Sequence, residues 1–143
     1  MAAGSPNAEL IREGFAAFSE RRFDDCLATL DPEVEWHIAF RLPDLPPDLT
    51  VVRGHAEVRQ LWDQFTAAWE SLTFEPERIL YDDGERVIAR IRVHGVGVGS
   101  GVEVDRTIIY LAAVRDGMLR RIVPHDSPEE AAAAAGIDPA QLR

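Results

Sequence analysis

Leu10, Ile11, Phe15 and Phe18 recur at helical spacing through 7–20, NAELIREGFAAFSE, which predicts a helix with one buried face. Asn7, or Ser5 ahead of Pro6, is its candidate N-cap. Phe23, Cys26, Leu27 and Leu30 carry the pattern into a second, shorter helix that Asp31-Pro32 ends. The period then shortens to two. Val34, Trp36 and Ile38 alternate with Glu35 and His37, so 33–39 is a strand with the first three on one face. Pro43, Pro46 and Pro47 enforce an extended loop. Gly54 opens a third helix over roughly 55–70, with a stripe of Val58, Leu61, Trp62, Phe65 and Trp69.

After residue 72 the pattern is that of strands. TFEPERILYDDGERVIARIRVHGVG predicts two strands joined at Asp82-Asp83-Gly84. GVGVGSGVEV supplies a second turn, and VEVDRTIIYLAAVRDGMLRRIVPHD two more strands meeting at Asp116-Gly117. SPEEAAAAAG carries a full set of helix signals: Ser127 as N-cap, Pro128 at N1, Glu130 at N3 and Gly136 as the stop. The order is α-α-β-α-β-β-β-β-α, an α+β arrangement with helices gathered on one face of an antiparallel meander. A long twisted sheet curls around its helices and leaves a concavity, where small-molecule sites commonly lie.

Composition narrows the chemistry. A chain of 143 residues is expected to form one domain, 1–143, which at this length buries roughly 70% of its extended surface. Its 25 acids outnumber its 15 bases for a net charge of −10, which argues against nucleic acid and against anionic membrane surfaces. The bases are all Arg, and with abundant Ala, Gly and Val this suggests a bacterial source. Cys26, the only cysteine, forms no internal disulfide. The opening MAAGSPNAEL has no secretory pattern and no apolar run approaches a membrane span, so a cytoplasmic location is expected. His37, His55, His94 and His125 lack metal-ligand spacing, so no metal is expected. The glycines at 95, 97, 99 and 101 lie between strands with no helix to hold a phosphate, and no G-x-S-x-G exists. No cofactor is expected.

Five stretches, DPEVEW (31–36), RGHAEVRQLWDQF (53–65), SGVEV (100–104), VRDGMLRRI (114–122) and SPEEAAAAAGI (127–137), together resemble the SnoaL-like polyketide cyclase family of the nuclear transport factor 2-like superfamily. They are fold markers, not catalytic signatures. The resemblance implies a conical barrel, a curved antiparallel sheet wrapped around N-terminal helices, with a deep apolar pocket and a homodimer through the outer sheet face. Relatives include isomerases, cyclases, epoxide hydrolases, dehydratases and plain binding proteins, among which fold does not decide.

Set against the ketosteroid isomerase relatives, Trp36 stands where a general-base aspartate is expected. An indole accepts no proton from carbon, so Trp36 reads as a pocket wall or a core residue. Tyr110 falls where those relatives keep a protonated aspartate, and a phenol can also polarise an oxygen. Set against epoxide hydrolase relatives, Arg92 and His94 match the Arg and first Asp of the water-activating set. Pro124 replaces the second Asp, so that mechanism needs Asp126 as substitute. The cyclases' acid/base falls near His125 and Asp126, although Asp126 also suits support of the last helix. Two strand parities stay open: either Val104, Arg106, Ile108, Tyr110 and Ala112 face inward, or Asp105, Thr107, Ile109, Leu111 and Ala113 do. Arg90, Arg92 and His94 form a basic outer face matched by acids of a neighbouring strand or subunit; only His94 has a functional alternative at the pocket mouth.

The expectation is therefore a cofactor-free acid/base cyclase or isomerase acting on an apolar polyketide- or terpenoid-type molecule. Asp126 or His125 is the acid/base, and Tyr110 or Arg106 stabilises the oxygen that gains charge. Trp36, Phe40, Trp62, Phe65, Trp69 and His94 line the pocket. The alternatives are a non-catalytic binder of the same fold, an epoxide-hydrolase-like enzyme, and a dimerisation domain whose hollow is filled by side chains.

Overall fold

The computed structural model describes residues 5–39 and 48–143. The first apolar stripe becomes α1 (Pro6–Ser19), capped by the Ser5 hydroxyl, which accepts the Ala8 N–H. Helix α2 (Phe23–Leu27) stops short of Leu30, which instead opens β1 (Leu30–His37). Asp31-Pro32, expected as a turn, lies inside that strand. The Asp31 carboxylate accepts the Glu33 N–H at 2.8 Å, and the pairing slips register between Leu30 and Glu35. A proline without an N–H costs little where the ladder is already broken.

Strand β2 (Val51–Arg53) was not expected, because three residues are too few to show a period. Helix α3 (Gly54–Ala67) buries Val58, Leu61, Trp62 and Phe65, but Trp69 begins β3 (Trp69–Asp82) instead of ending the helical stripe. Then follow β4 (Arg86–Gly97), β5 (Glu103–Arg115), β6 (Met118–His125), α4 (Pro128–Ala135) and a 3-10 turn at Pro139–Gln141. The signals read for α4 hold. The Ser127 hydroxyl accepts the Glu130 N–H, and Gly136 closes the helix at φ +72°.

The six strands are ordered β2-β1-β6-β5-β4-β3. Strands β3 to β6 form the antiparallel meander, while β1 and β6 pair in parallel, so the sheet is mixed at one seam. Register shifts at Pro76/Arg78 and Ile79/Tyr81 bend β3, the edge strand, where a proline is tolerated.

Strand alternation creates two apolar layers. Ala89, Ile91 and Val93 of β4 and Ile108, Tyr110 and Ala112 of β5 pack with α1, α2 and α3 on the concave face. Ile88, Ile109 and Leu111 face outward beneath Ala131 and Ala135 of α4. The helices are thus not all on one face: α4 covers the outside, because the outward set of β4 and β5 is itself apolar.

Gly95 sits on the concave side. A Cβ there would lie 2.9 Å from Leu72 Cδ1, 3.0 Å from the Ser71 carbonyl oxygen and 3.0 Å from Trp69 Cε3. The carbonyl belongs to the paired backbone and has no room to move. Gly95→Ala is expected to lower the unfolding free energy by about 1–3 kcal/mol in urea titration; an unchanged midpoint would refute this packing.

Candidate functional site

The concave face and the three inner helices enclose an aromatic interior. Phe15 stacks on Phe74 with ring centroids 5.6 Å apart and tilts against Tyr110 at 5.5 Å. Phe18 meets Trp62 edge-on at 5.4 Å and Phe74 at 5.1 Å. Two small cavities lie in this interior among the described residues. An inner one of about 20 Å³ lies among Ile11, Gly14, Cys26, Thr29, Leu119 and Ile122. An outer one of about 30 Å³ lies among Ile38, Ala39, Leu61, Trp62, Phe65 and Phe74. Phe18, Trp36 and Tyr110 border both.

Strand β5 adopts the first of the two parities. Ile108, Tyr110 and Ala112 face the interior, while Ile109 and Leu111 face α4 and Asp105 binds Arg92 on the outer face. Tyr110 is only 2% exposed, and burial pushes its phenol well above the ordinary range, against a weaker opposing pull from the Arg106 charge. It remains a neutral O–H. Burial likewise raises the Cys26 thiol to about 12, so it is not a thiolate nucleophile at neutral pH. Arg106 follows the same parity toward the end of β5, where it is exposed.

Of the expected pocket residues, Trp36, Trp62 and Phe65 line the outer cavity. Trp69 packs on Phe65 at 6.2 Å but borders neither cavity. Phe40 lies outside the described residues, as does the proline loop of 41–47. His94 does not join the group: it is exposed on the outer face beside Thr73, Glu75 and Arg92. His125 is also turned away. Its partner across the ladder is the outward-facing Ile109, while Pro124 pairs with the inward-facing Tyr110. One residue of strand period therefore separates His125 from the cone. Asp126 is exposed just past the end of β6, where its N–H donates to the Glu130 carboxylate at the start of α4. Phe15 and Phe18, central to the interior, were legible only as buried positions, and Phe74 was not singled out; periodicity does not distinguish a core side chain from a cavity wall.

Charge collects on the outer face. Arg92 makes a two-pronged contact to Asp105, at 3.0 and 2.8 Å, as the matched-strand reading anticipated. At the parallel seam, Glu35 accepts from Arg121 at 2.7 Å, contacts His37 Nε2 at 2.8 Å and reaches Arg53 at 3.4 Å. These partners, with the His37 hydrogen bond the largest cause and Arg121 next, lower its pKa to about 2. The nearby His125 imidazole is pushed down by burial, opposed by the charges of Glu130 and Asp126. Its Nε2 is buried without a hydrogen-bond partner among the described residues. Among the described residues, no group of three or more His, Cys, Asp or Glu is placed to hold a metal ion, and no helix is long and apolar enough to cross a membrane.

A coiled six-stranded sheet closed by inner helices over an apolar hollow defines the nuclear transport factor 2-like class of α+β proteins. The family model of the SnoaL-like domain matches residues 11–122, and the chain belongs to that family. Among solved structures it is similar to TerC co-crystallised with polyporic acid, at 20% identity and TM-score 0.71 over 88% of this chain and 95% of that one. It is similar to an NTF2-like protein of unknown function from Burkholderia pseudomallei, at 23% identity and TM-score 0.71 over 90% and 96%. A third is a putative polyketide cyclase from Xanthomonas campestris pv. campestris, at 22% identity and TM-score 0.69 over 90% and 95%. No curated protein is significantly similar in sequence. At these identities the structural likeness is one of fold.

The Glu35 carboxylate sets a pH dependence. A carboxyl group whose folded pKa is depressed contributes stability above its ordinary pKa of 4.5, and loses it as pH falls toward about 2. Its cationic partners are largely exposed, so water screens the contribution to about 1 kcal/mol. Glu35→Gln is expected to cost that amount at pH 7, with the gap to wild type narrowing in urea titrations between pH 4.5 and 3. A gap that stays constant over that range would show that the charge is not what matters.

Proposed function

We propose that the cone binds a small apolar molecule bearing an oxygen acceptor, which the Tyr110 hydroxyl holds. The observation that carries this reading is the sorting of ionisable groups. The interior cavities are bordered by Tyr110 and Cys26, both held neutral, whereas His94 and His125 lie on the outer face and Asp126 is exposed. An apolar interior whose small cavities share one convergent phenol favours binding over carboxylate acid/base chemistry. TerC, of the same fold, was co-crystallised with polyporic acid, which fits the binding of a small molecule by this fold.

Cofactor-free cyclisation or isomerisation is the second reading. It is favoured by the pairing of Pro124 with Tyr110, which leaves Asp126 two residues beyond the phenol's neighbour. Tyr110 would then donate to the oxygen that gains charge, with Asp126 as acid/base. The epoxide-hydrolase-like reading has no such support, since Arg92 and His94 share the outer face. A homodimer through the exposed face of β3–β5 belongs to the proposal. Thr73, Glu75, Arg92, His94 and Asp105 there present both signs of charge to a second copy. Sedimentation at twice 15.9 kDa is expected, and a lone 15.9 kDa species would exclude it.

Polyporic acid is the direct probe of the pocket. Saturable quenching of tryptophan fluorescence is expected, because Trp36 and Trp62 border the outer cavity. Tyr110→Phe removes one hydrogen bond worth about 1 kcal/mol and is expected to weaken binding roughly fivefold. Binding unaltered by Tyr110→Phe would remove the phenol from the site, and no saturable binding by wild type would count against the reading.

A further inference from the structure

The two cavities meet at three side chains, Phe18, Trp36 and Tyr110. Two of these are fixed. Phe18 is wedged edge-on between Trp62 and Phe74, and Tyr110 lies fully buried against Phe15. Trp36 is the least buried of the three. It is half-buried, and its aromatic contact among the described residues is one edge-on approach to Trp62, at 5.5 Å and 80°. It stands on β1, whose register against β6 slips just before it and whose other neighbour, β2, is three residues long.

We infer that Trp36 is a plug dividing one ligand site into two chambers, and that its indole sets the length of molecule the cone admits. The inference rests on the binding reading above and adds the residue that determines specificity. Each chamber as it stands holds about the space of one or two water molecules, and its apolar walls leave it dry. Drug-sized ligands occupy roughly 300–1,000 Å³. The two together also stay far below that range, so a ligand longer than either chamber needs the space of the side chain between them, the indole. A ligand spanning both must displace it, so wild-type affinity is that of the open site multiplied by the fraction of time the indole is out of place.

The test compares benzene with biphenyl, a short and a long apolar probe, by ligand-detected nuclear magnetic resonance and calorimetry. Trp36→Ala is expected to bind biphenyl at least tenfold more tightly than wild type does. Leu119→Ala widens the inner chamber alone and Leu61→Ala the outer chamber alone; both are expected to gain benzene without gaining biphenyl. Trp36→Leu keeps apolar volume at the position and is expected to show a smaller gain in the same order, which serves if the alanine variant does not fold. Near-ultraviolet circular dichroism checks each fold. If the Trp36 variants gain no biphenyl affinity, or the single-chamber variants gain as much, the plug is overturned. Wild-type binding of polyporic acid is a separate result, so failure of the binding reading and failure of the plug are distinguishable.

Discussion

Burial of one concave sheet face against three helices is the constraint from which the other features follow. Phe15, Phe18, Trp62, Phe74 and Tyr110 are each under 9% exposed and in ring contact with at least one other of the set. Each such side chain contributes roughly 1.5–3 kcal/mol on burial, so the cluster outweighs any single polar contact in the molecule. The same dryness dictates the chemistry. An isolated ion in such a medium would cost several kcal/mol or neutralise. Among the described residues, the titratable groups bordering the cavities are a phenol and a thiol, both of which are neutral by default.

The excluded charges do structural work outside. Glu35 lies between Arg53 and Arg121 in one cross-strand row spanning β2, β1 and β6. That row crosses the seam where the ladder is parallel and irregular, a pairing slightly weaker per residue than an antiparallel one. A carboxylate with three cationic or hydrogen-bonding partners ties the strands together at that seam. Trp36 and Val52, next to that row, point the opposite way into the core. The ion cluster and the aromatic wall are thus two faces of one register, and a one-residue slip would exchange them.

Much of the architecture was legible in the sequence, for physical reasons that also explain the misses. The signals of α4 are local, with Ser127, Pro128 and Gly136 each acting on their own backbone, and they survived folding unchanged. The alternation of Val34, Trp36 and Ile38 was equally local. What failed depended on partners. Trp69 continued a helical stripe by spacing but was claimed by the edge of β3, and Asp31-Pro32 was absorbed into a strand because β6 offered pairing on either side of it. The candidate site was less legible. Periodicity shows that a strand has two faces, but not which one meets the helices when both are apolar, as on β4 and β5. That ambiguity left Arg106 and Tyr110 against Asp105 undecided, and the same one-residue parity put His125 outside while its neighbour Pro124 pairs with Tyr110.

A cone nearly filled by side chains is what the dimerisation-domain reading expects, and it is also what a binding site closed at rest looks like. Empty apolar volume destabilises by about 24 cal/mol per Å³, so a standing hollow of roughly 300 Å³ would cost about 7 kcal/mol. Domains hold only about 5–15 kcal/mol in total. A protein of 143 residues that kept a drug-sized cavity permanently open would spend much of its stability on emptiness. Filling the hollow with a side chain that can leave removes that cost at rest and transfers it to the moment of binding. The side chain best suited is large, apolar and attached where the backbone pairing is irregular. Among the residues bordering both cavities, Trp36 on β1 alone meets all three conditions, whereas Phe18 of α1 is held by three ring contacts and Tyr110 lies in the middle of the meander.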